Sequence, residues 1–166
     1  VGRIDGGSGR QSVVGLDLLS TGPWPLDLSS RTLLTGEPLV RGVAYRPTRH
    51  GRILTEMRWP TATATALWDT GAGITLIDRR FADAHPSLFE HAGSTRTTDI
   101  VGSQGDLELA HISGYEIDGN PFAGHIVAIA DLPEIPDQID AAIGFPTISQ
   151  ARWTVDMPSH RWRIGL

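Results

Sequence analysis

One short stretch constrains this chain more than any other. The apolar and β-branched run Thr63-Ala64-Thr65-Ala66-Leu67-Trp68 stops at Asp69-Thr70-Gly71-Ala72-Gly73, and apolar residues resume at Ile74, Leu76 and Ile77. The flanks read as buried strands. The loop between them therefore holds a carboxylate at a strand end, with apolar residues on both sides. A carboxylate so placed can approach a second one within hydrogen-bond distance and share a single proton with it, because two ionised groups that close repel. Gly71 lacks a Cβ, so its backbone can turn tightly and bring its N–H toward the carboxylate. Thr70 adds a hydroxyl that can bond around paired loops. The same residues also suit an ordinary Asp-x-Gly hairpin turn, and the triplet alone leaves both readings open.

A second element separates them. Some seventy residues later come Ala141-Ala142-Ile143-Gly144-Phe145, then Trp153-Thr154-Val155-Asp156 and Trp162-Arg163-Ile164. In sequence and order these elements resemble the retropepsin-like family of aspartic proteases, over roughly residues 52–166. The resemblance implies an all-β fold, a closed β-barrel with one or two short helices. It implies Asp69 as the catalytic residue, with Thr70, Gly71 and Ala72 in the active-site loop and the strand ending in Ile143 and Gly144 threaded beneath it. A flap hairpin falls on residues 97–112, and its substrate-binding tip is Val101, Gly102, Ser103, Gln104 and Gly105. Two departures stand out: the flap has no aromatic residue near its tip, and Pro146 stands where many relatives carry Asp.

Only one Asp-[Thr/Ser]-Gly occurs. A lone carboxylate cannot act as base and acid in the same step, so the second must come from a twofold-related copy or from a homologous lobe. The implied activity is an endopeptidase that hydrolyses peptide or protein substrates with a dyad-activated water. The alternative is a peptide-binding or scaffolding module that keeps the fold without assembling a dyad.

Composition removes other classes. The net charge is −5 and the fourteen basic residues, all Arg, are scattered, so the chain lacks the clustered positive charge that nucleic acid requires. Without Lys there is no P-loop lysine, Schiff base or Ser-Lys dyad, and the absence of Cys removes thiol nucleophiles, disulfides and thiolate metal sites. The six histidines form no pair at metal-binding helical spacing, and no Gly-x-Ser-x-Gly elbow is present. Neither a cofactor nor a metal is expected. No apolar run is long enough to span a membrane. The expectation is a soluble chain from a GC-rich, bacterial genome, with the cytoplasm and periplasm both open.

Along the chain, Arg52–Trp59 reads as a half-buried strand and Pro60-Thr61 as a turn. Asp78 suits the N-cap of a short helix through Phe81 and Ala84, and Pro86 can start a further helical turn ending at Gly93. Tyr115–Asn120 carries a hairpin signal at Asp118-Gly119, ahead of a strand over 125–130. The N-terminal piece holds a repeat. Residues 14–28 align without gaps on 143–157 at an offset of 129, and Gly15, Ser20, Trp24 and Asp27 match Gly144, Ser149, Trp153 and Asp156. Such self-similarity usually marks a duplicated unit, either the tail of a preceding lobe or a remnant that packs on a single lobe, while the permissive Gly-Leu-Asp-Leu-Leu pattern leaves coincidence as the alternative. The expected division is a partial lobe-like segment over 1–35, a Gly- and Pro-containing linker over 36–51, and the protease-like domain over 52–166.

Overall fold

A computed structural model describes residues 2–6, 9–13, 21–27, 32–33, 41–98, 104–132 and 138–165. In chain order the strands are β1 (Gly2–Gly6), β2 (Gly9–Val13), β3 (Pro23–Asp27), β4 (Thr32–Leu33), β5 (Val43–Ala44), β6 (Arg46–Pro47), β7 (Ile53–Trp59) and β8 (Ala62–Trp68). After β9 (Thr75–Asp78) come helix α1 (Arg79–Ala84) and a 3-10 turn over Pro86–Leu88. There follow β10 (Phe89–Thr98), β11 (Gln104–Ile112), β12 (Tyr115–Ile117), β13 (Asn120–Phe122), β14 (Ile126–Ala130), β15 (Ala141–Ile143), α2 (Phe145–Ile148), β16 (Arg152–Asp156) and β17 (Arg161–Gly165). The fold is mostly β with few helices, as the sequence predicts.

The chain divides into two compact units, residues 46–151 and residues 1–45 with 152–165. This differs from the division expected at 35 and 51, because β16 pairs with β3 and β17 with β5. Pairing across more than a hundred residues leaves no trace in local composition.

In the larger unit the strands run in the order β10-β11-β14-β9-β15-β8-β7-β12-β13, with β6 on β7. Among the described residues no pairing joins β10 to β13, so the closure into a barrel is not among its ladders. The alternation of β7 buries Met57 and Trp59 and exposes Glu56 and Arg58, as a strand covered on one face requires. Asp118 and Gly119 take φ of 51° and 75°, the left-handed pair of a type I′ turn that joins β12 to β13. Asp78 caps α1 by accepting the Arg80 N–H. The helical turn from Pro86, however, stops at Leu88, and Phe89–Thr98 is a strand paired to β11. Gly93, expected to end a helix, instead sits with φ 108° where the register of that ladder shifts, a glycine at a β-bulge.

In the smaller unit the order is β4-β3-β16-β17-β5, with β1 and β2 a separate hairpin. Its buried centre holds Trp153 and Trp162, with ring centroids 5.1 Å apart, together with Tyr45 and Val155. Burial, with Asp156 nearby, pushes the Tyr45 phenol up to about 12.

Candidate active site

The site begins where β8 runs out. Ala64, Ala66 and Leu67 are buried, and β8 ends as the chain turns at Asp69. The Asp69 N–H donates to the Ile143 carbonyl at 2.9 Å, and the Ala72 N–H donates to the Asp69 carbonyl at 3.3 Å. The Gly71 N–H turns back onto Asp69 Oδ1 at 2.8 Å, fixing the carboxylate. A Cβ on Gly71 would lie 3.2 Å from that oxygen, tighter than an ordinary contact, so glycine suits the turn. Asp69 and Ala72 are half-buried, and Thr70, Gly71 and Gly73 are exposed. The carboxylate is held from below and open above.

The floor under this loop is β15. It lies between β8 and β9, parallel to β8 with Ile143 opposite Trp68, and antiparallel to β9 with Ala142 opposite Leu76. Where it leaves the sheet, Phe145 N–H donates to the Ala72 carbonyl at 2.8 Å. A Cβ on Gly144 would meet the Ile74 carbonyl oxygen at 2.4 Å and the Ala72 carbonyl oxygen at 2.8 Å. These are backbone atoms that cannot give way cheaply, so the fit beneath the loop requires glycine. Asp69, Thr70, Gly71, Ala72, Ile143 and Gly144 are thus brought together as one piece.

Beneath it lies a polar cluster that the sequence did not announce. The Gly144 N–H donates to Thr75 Oγ1 at 3.1 Å, Thr75 Oγ1 lies 3.0 Å from Thr147 Oγ1, and the Tyr115 hydroxyl lies 2.8 Å from Thr147 Oγ1. His125 Nε2 reaches the two threonine hydroxyls at 3.4 and 3.3 Å, and its Nδ1 faces the Ala123 carbonyl at 3.3 Å. Burial holds the His125 imidazole below its ordinary value, and nearby His111 adds to this against the opposing Ala123 bond. The ring is therefore neutral near pH 7 and can accept at one nitrogen while donating at the other. Burial likewise pushes the Tyr115 phenol well up. These residues come from β9, β12, the approach to β14, and α2. As isolated Thr, Tyr and His they read as ordinary β-sheet residues.

The expected flap is a hairpin of β10 and β11, paired down to Thr98 opposite Gln104. Gln104 and Gly105 lie in that ladder, opposite Thr98 and Thr97. Val101, Gly102 and Ser103 lie outside the described residues. A cavity of about 570 Å³ lies elsewhere, lined by Arg58, Trp59, Tyr115, Glu116 and Phe122 among others, and includes none of the Asp69 loop. Among the described residues no three His, Asp or Glu side chains gather as a metal site would need, and no helix is long and apolar enough to cross a membrane.

No family model matches the chain, and neither does any curated protein. Among solved structures it is similar to a retropepsin-like aspartic protease from Rickettsia conorii, with a TM-score of 0.44 and 13% identity over 64% of this chain and 76% of that one. It is also similar to a foamy viral protease–reverse transcriptase solved with an RNA/DNA hybrid, with a TM-score of 0.39 and 14% identity over 57% of this chain but only 11% of the viral one. Both likenesses are remote, and the functional reading rests on the chain's own residues.

Proposed function

We propose that the chain is one half of an aspartic endopeptidase site, with Asp69 as one member of a carboxylate dyad. The carrying observation is the Asp69 loop locked onto the β15 floor. Gly71 pins one carboxylate oxygen at 2.8 Å, and Gly144 passes so close beneath that no Cβ fits. The Gly71 contact by itself is an ordinary Asx turn; the close passage of Gly144 beneath the loop is what goes beyond one. A half-exposed carboxylate held rigidly at a strand end fits a group that must meet a second carboxylate in fixed geometry.

In the proposed reaction the ionised member of the dyad takes a proton from a bound water. The water oxygen attacks the scissile carbonyl carbon, while the protonated member gives its proton to the carbonyl oxygen. The tetrahedral intermediate collapses with cleavage of the C–N bond, the amine leaving with a proton and no acyl-enzyme forming. Substrate lies extended, pairing by main-chain hydrogen bonds with the β10–β11 hairpin above the dyad.

The test is hydrolysis of a peptide library at acidic pH by the protein as its host makes it, with and without Asp69→Asn. Loss of hydrolysis in a folded Asp69→Asn variant is expected. Retained hydrolysis would remove Asp69 from the mechanism. Peptide binding without hydrolysis by the unaltered protein would favour the scaffolding module.

A further inference from the structure

The smaller unit carries information about the missing half of the site. Its two central strands, β3 and β16, pair antiparallel as Pro23↔Asp156, Trp24↔Val155, Pro25↔Thr154, Leu26↔Trp153 and Asp27↔Arg152. The sequence repeat equates position 24 with 153, 25 with 154 and 26 with 155. Under that equivalence Pro25↔Thr154 maps onto itself, Trp24↔Val155 exchanges with Leu26↔Trp153, and Pro23↔Asp156 exchanges with Asp27↔Arg152. The pairing therefore has a local twofold axis through Pro25 and Thr154. Any antiparallel ladder has an axis of this kind; the observed register places it at Pro25 and Thr154.

The registers of the two hairpins carry the correspondence. In the β3–β4 hairpin, Leu26 faces Leu33 and Asp27 faces Thr32. Moved by the same offset these become Val155↔Trp162 and Asp156↔Arg161, both of which are pairs of the β16–β17 hairpin. The two hairpins have one register, and the axis relates them across β3 and β16. The sequence match alone ends before β4, so the hairpin extends the repeat beyond the residues that first revealed it.

We infer that β3–β4 is the closing hairpin of a lobe homologous to the one closed by β16–β17. The partner that completes the Asp69 site is then a diverged lobe covalently continuous with β3–β4, and not a second copy of this chain. The inference rests on reading Asp69 as half of a dyad, and it decides between the two sources of the second carboxylate. The free edge that β16 would offer to the β16 of another copy is filled by β3 of its own chain. A symmetric dimer paired through β16 would have to expel β3. The resulting site is unsymmetric. Its two carboxylates lie in different surroundings, so each can keep one role, and its substrate pockets on the two sides of the scissile bond need not match.

The chain contains no cysteine, so engineered disulfides report cleanly. Thr154 sits on the axis. Two copies paired through β16 about the same axis would bring two Thr154 residues face to face, within reach of a disulfide. Under mild oxidation, Pro25→Cys/Thr154→Cys is expected to close a disulfide within one chain and keep the mass of a single chain. Thr154→Cys alone is expected to stay monomeric. Efficient capture of Thr154→Cys as a covalent dimer would overturn the inference, and so would a double variant that fails to cross-link within the chain. If Pro25→Cys prevents folding, sedimentation equilibrium of the unaltered chain decides: a single monomeric species supports the inference and a stable dimer overturns it. None of these readouts involves hydrolysis, so a failure of the proteolytic reading is seen separately, in the Asp69→Asn assay.

Discussion

The C-terminal ends of β8 and β9 make an instructive pair. Both strands flank β15, and at the end of each stands an aspartate whose backbone N–H is tied to the ends of β15, Asp69 just past β8 to the Ile143 carbonyl at 2.9 Å and Asp78, the last residue of β9, to the Asp140 carbonyl at 2.7 Å. Their side chains differ in fate. Asp78 is 2% exposed and accepts from the Arg80 N–H at 3.0 Å, Arg80 Nε at 2.8 Å and the Leu132 N–H at 3.2 Å. Burial by itself would raise its carboxyl, but the Arg80 and Leu132 bonds outweigh it and hold the group below the usual carboxylate range. Asp69 is half-buried and accepts the N–H of its own turn. One carboxylate is consumed by the fold; the other is presented by it. Strand-end position alone does not separate the two, whereas the partners of the side-chain oxygens do.

The comparison breaks most sharply at Asp69. Asp69→Asn should lower hydrolysis by about a thousandfold or more, the scale on which acid–base groups act, and leave the melting temperature nearly unchanged. A melting temperature that falls along with activity would place Asp69 with Asp78 among the structural carboxylates. Next in size is the floor beneath the loop. Gly144→Ala should cost about 3 kcal/mol in urea unfolding, since the added methyl meets backbone that can only move by shifting β15 or the loop. An unchanged midpoint would mean that the floor is not tightly held.

Asp78→Ala should cost about 2 kcal/mol at pH 7, through the lost helix cap and the stranded Leu132 N–H. Its pH dependence fixes the sign. The folded carboxyl titrates below its unfolded value, so its contribution is complete above about pH 4 and fades as the pH falls through the folded value. Urea titrations of both proteins should therefore converge in acid, and a gap that widens there would contradict the assignment. Smallest is Tyr115→Phe, expected to cost about 1 kcal/mol for the bond to Thr147. A larger loss of activity than of stability would show that the buried polar cluster also sets the loop geometry.

The sequence exposed what depends on near neighbours. The alternation of Ile53–Trp59, the left-handed pair Asp118-Gly119, the Asp78 cap and the Gly71 turn each rest on a few adjacent residues, and each stands where the residues predict. What it hid depends on distant partners. β10 gains its strand identity from β11, because Glu90, His91, Ser94 and Thr95 carry no buried face to announce one. Thr75, Thr147, Tyr115 and His125 meet only once their separate elements are assembled. The Gly144 strand was legible through its resemblance, while the reason for its glycine, the approach of the Ile74 carbonyl, required the assembled loop.

The position of β15 also dictates an order of events as the chain folds. Its neighbours β8 and β9 lie far upstream, with Asp140 bonded to Thr65 across 75 residues and Gly144 to Thr75 across 69. On a ribosome β8, β9, β11 and β14 all emerge before the strand that joins them. Until it arrives, β8 and β9 keep facing edges with no ladder between them, and closing that long loop costs entropy before any pairing returns it. The carboxylate loop can therefore take its final form only in the last assembly step. A nascent chain halted before residue 141 would carry the complete Asp-Thr-Gly motif without its support, together with two open strand edges prone to pairing with other chains.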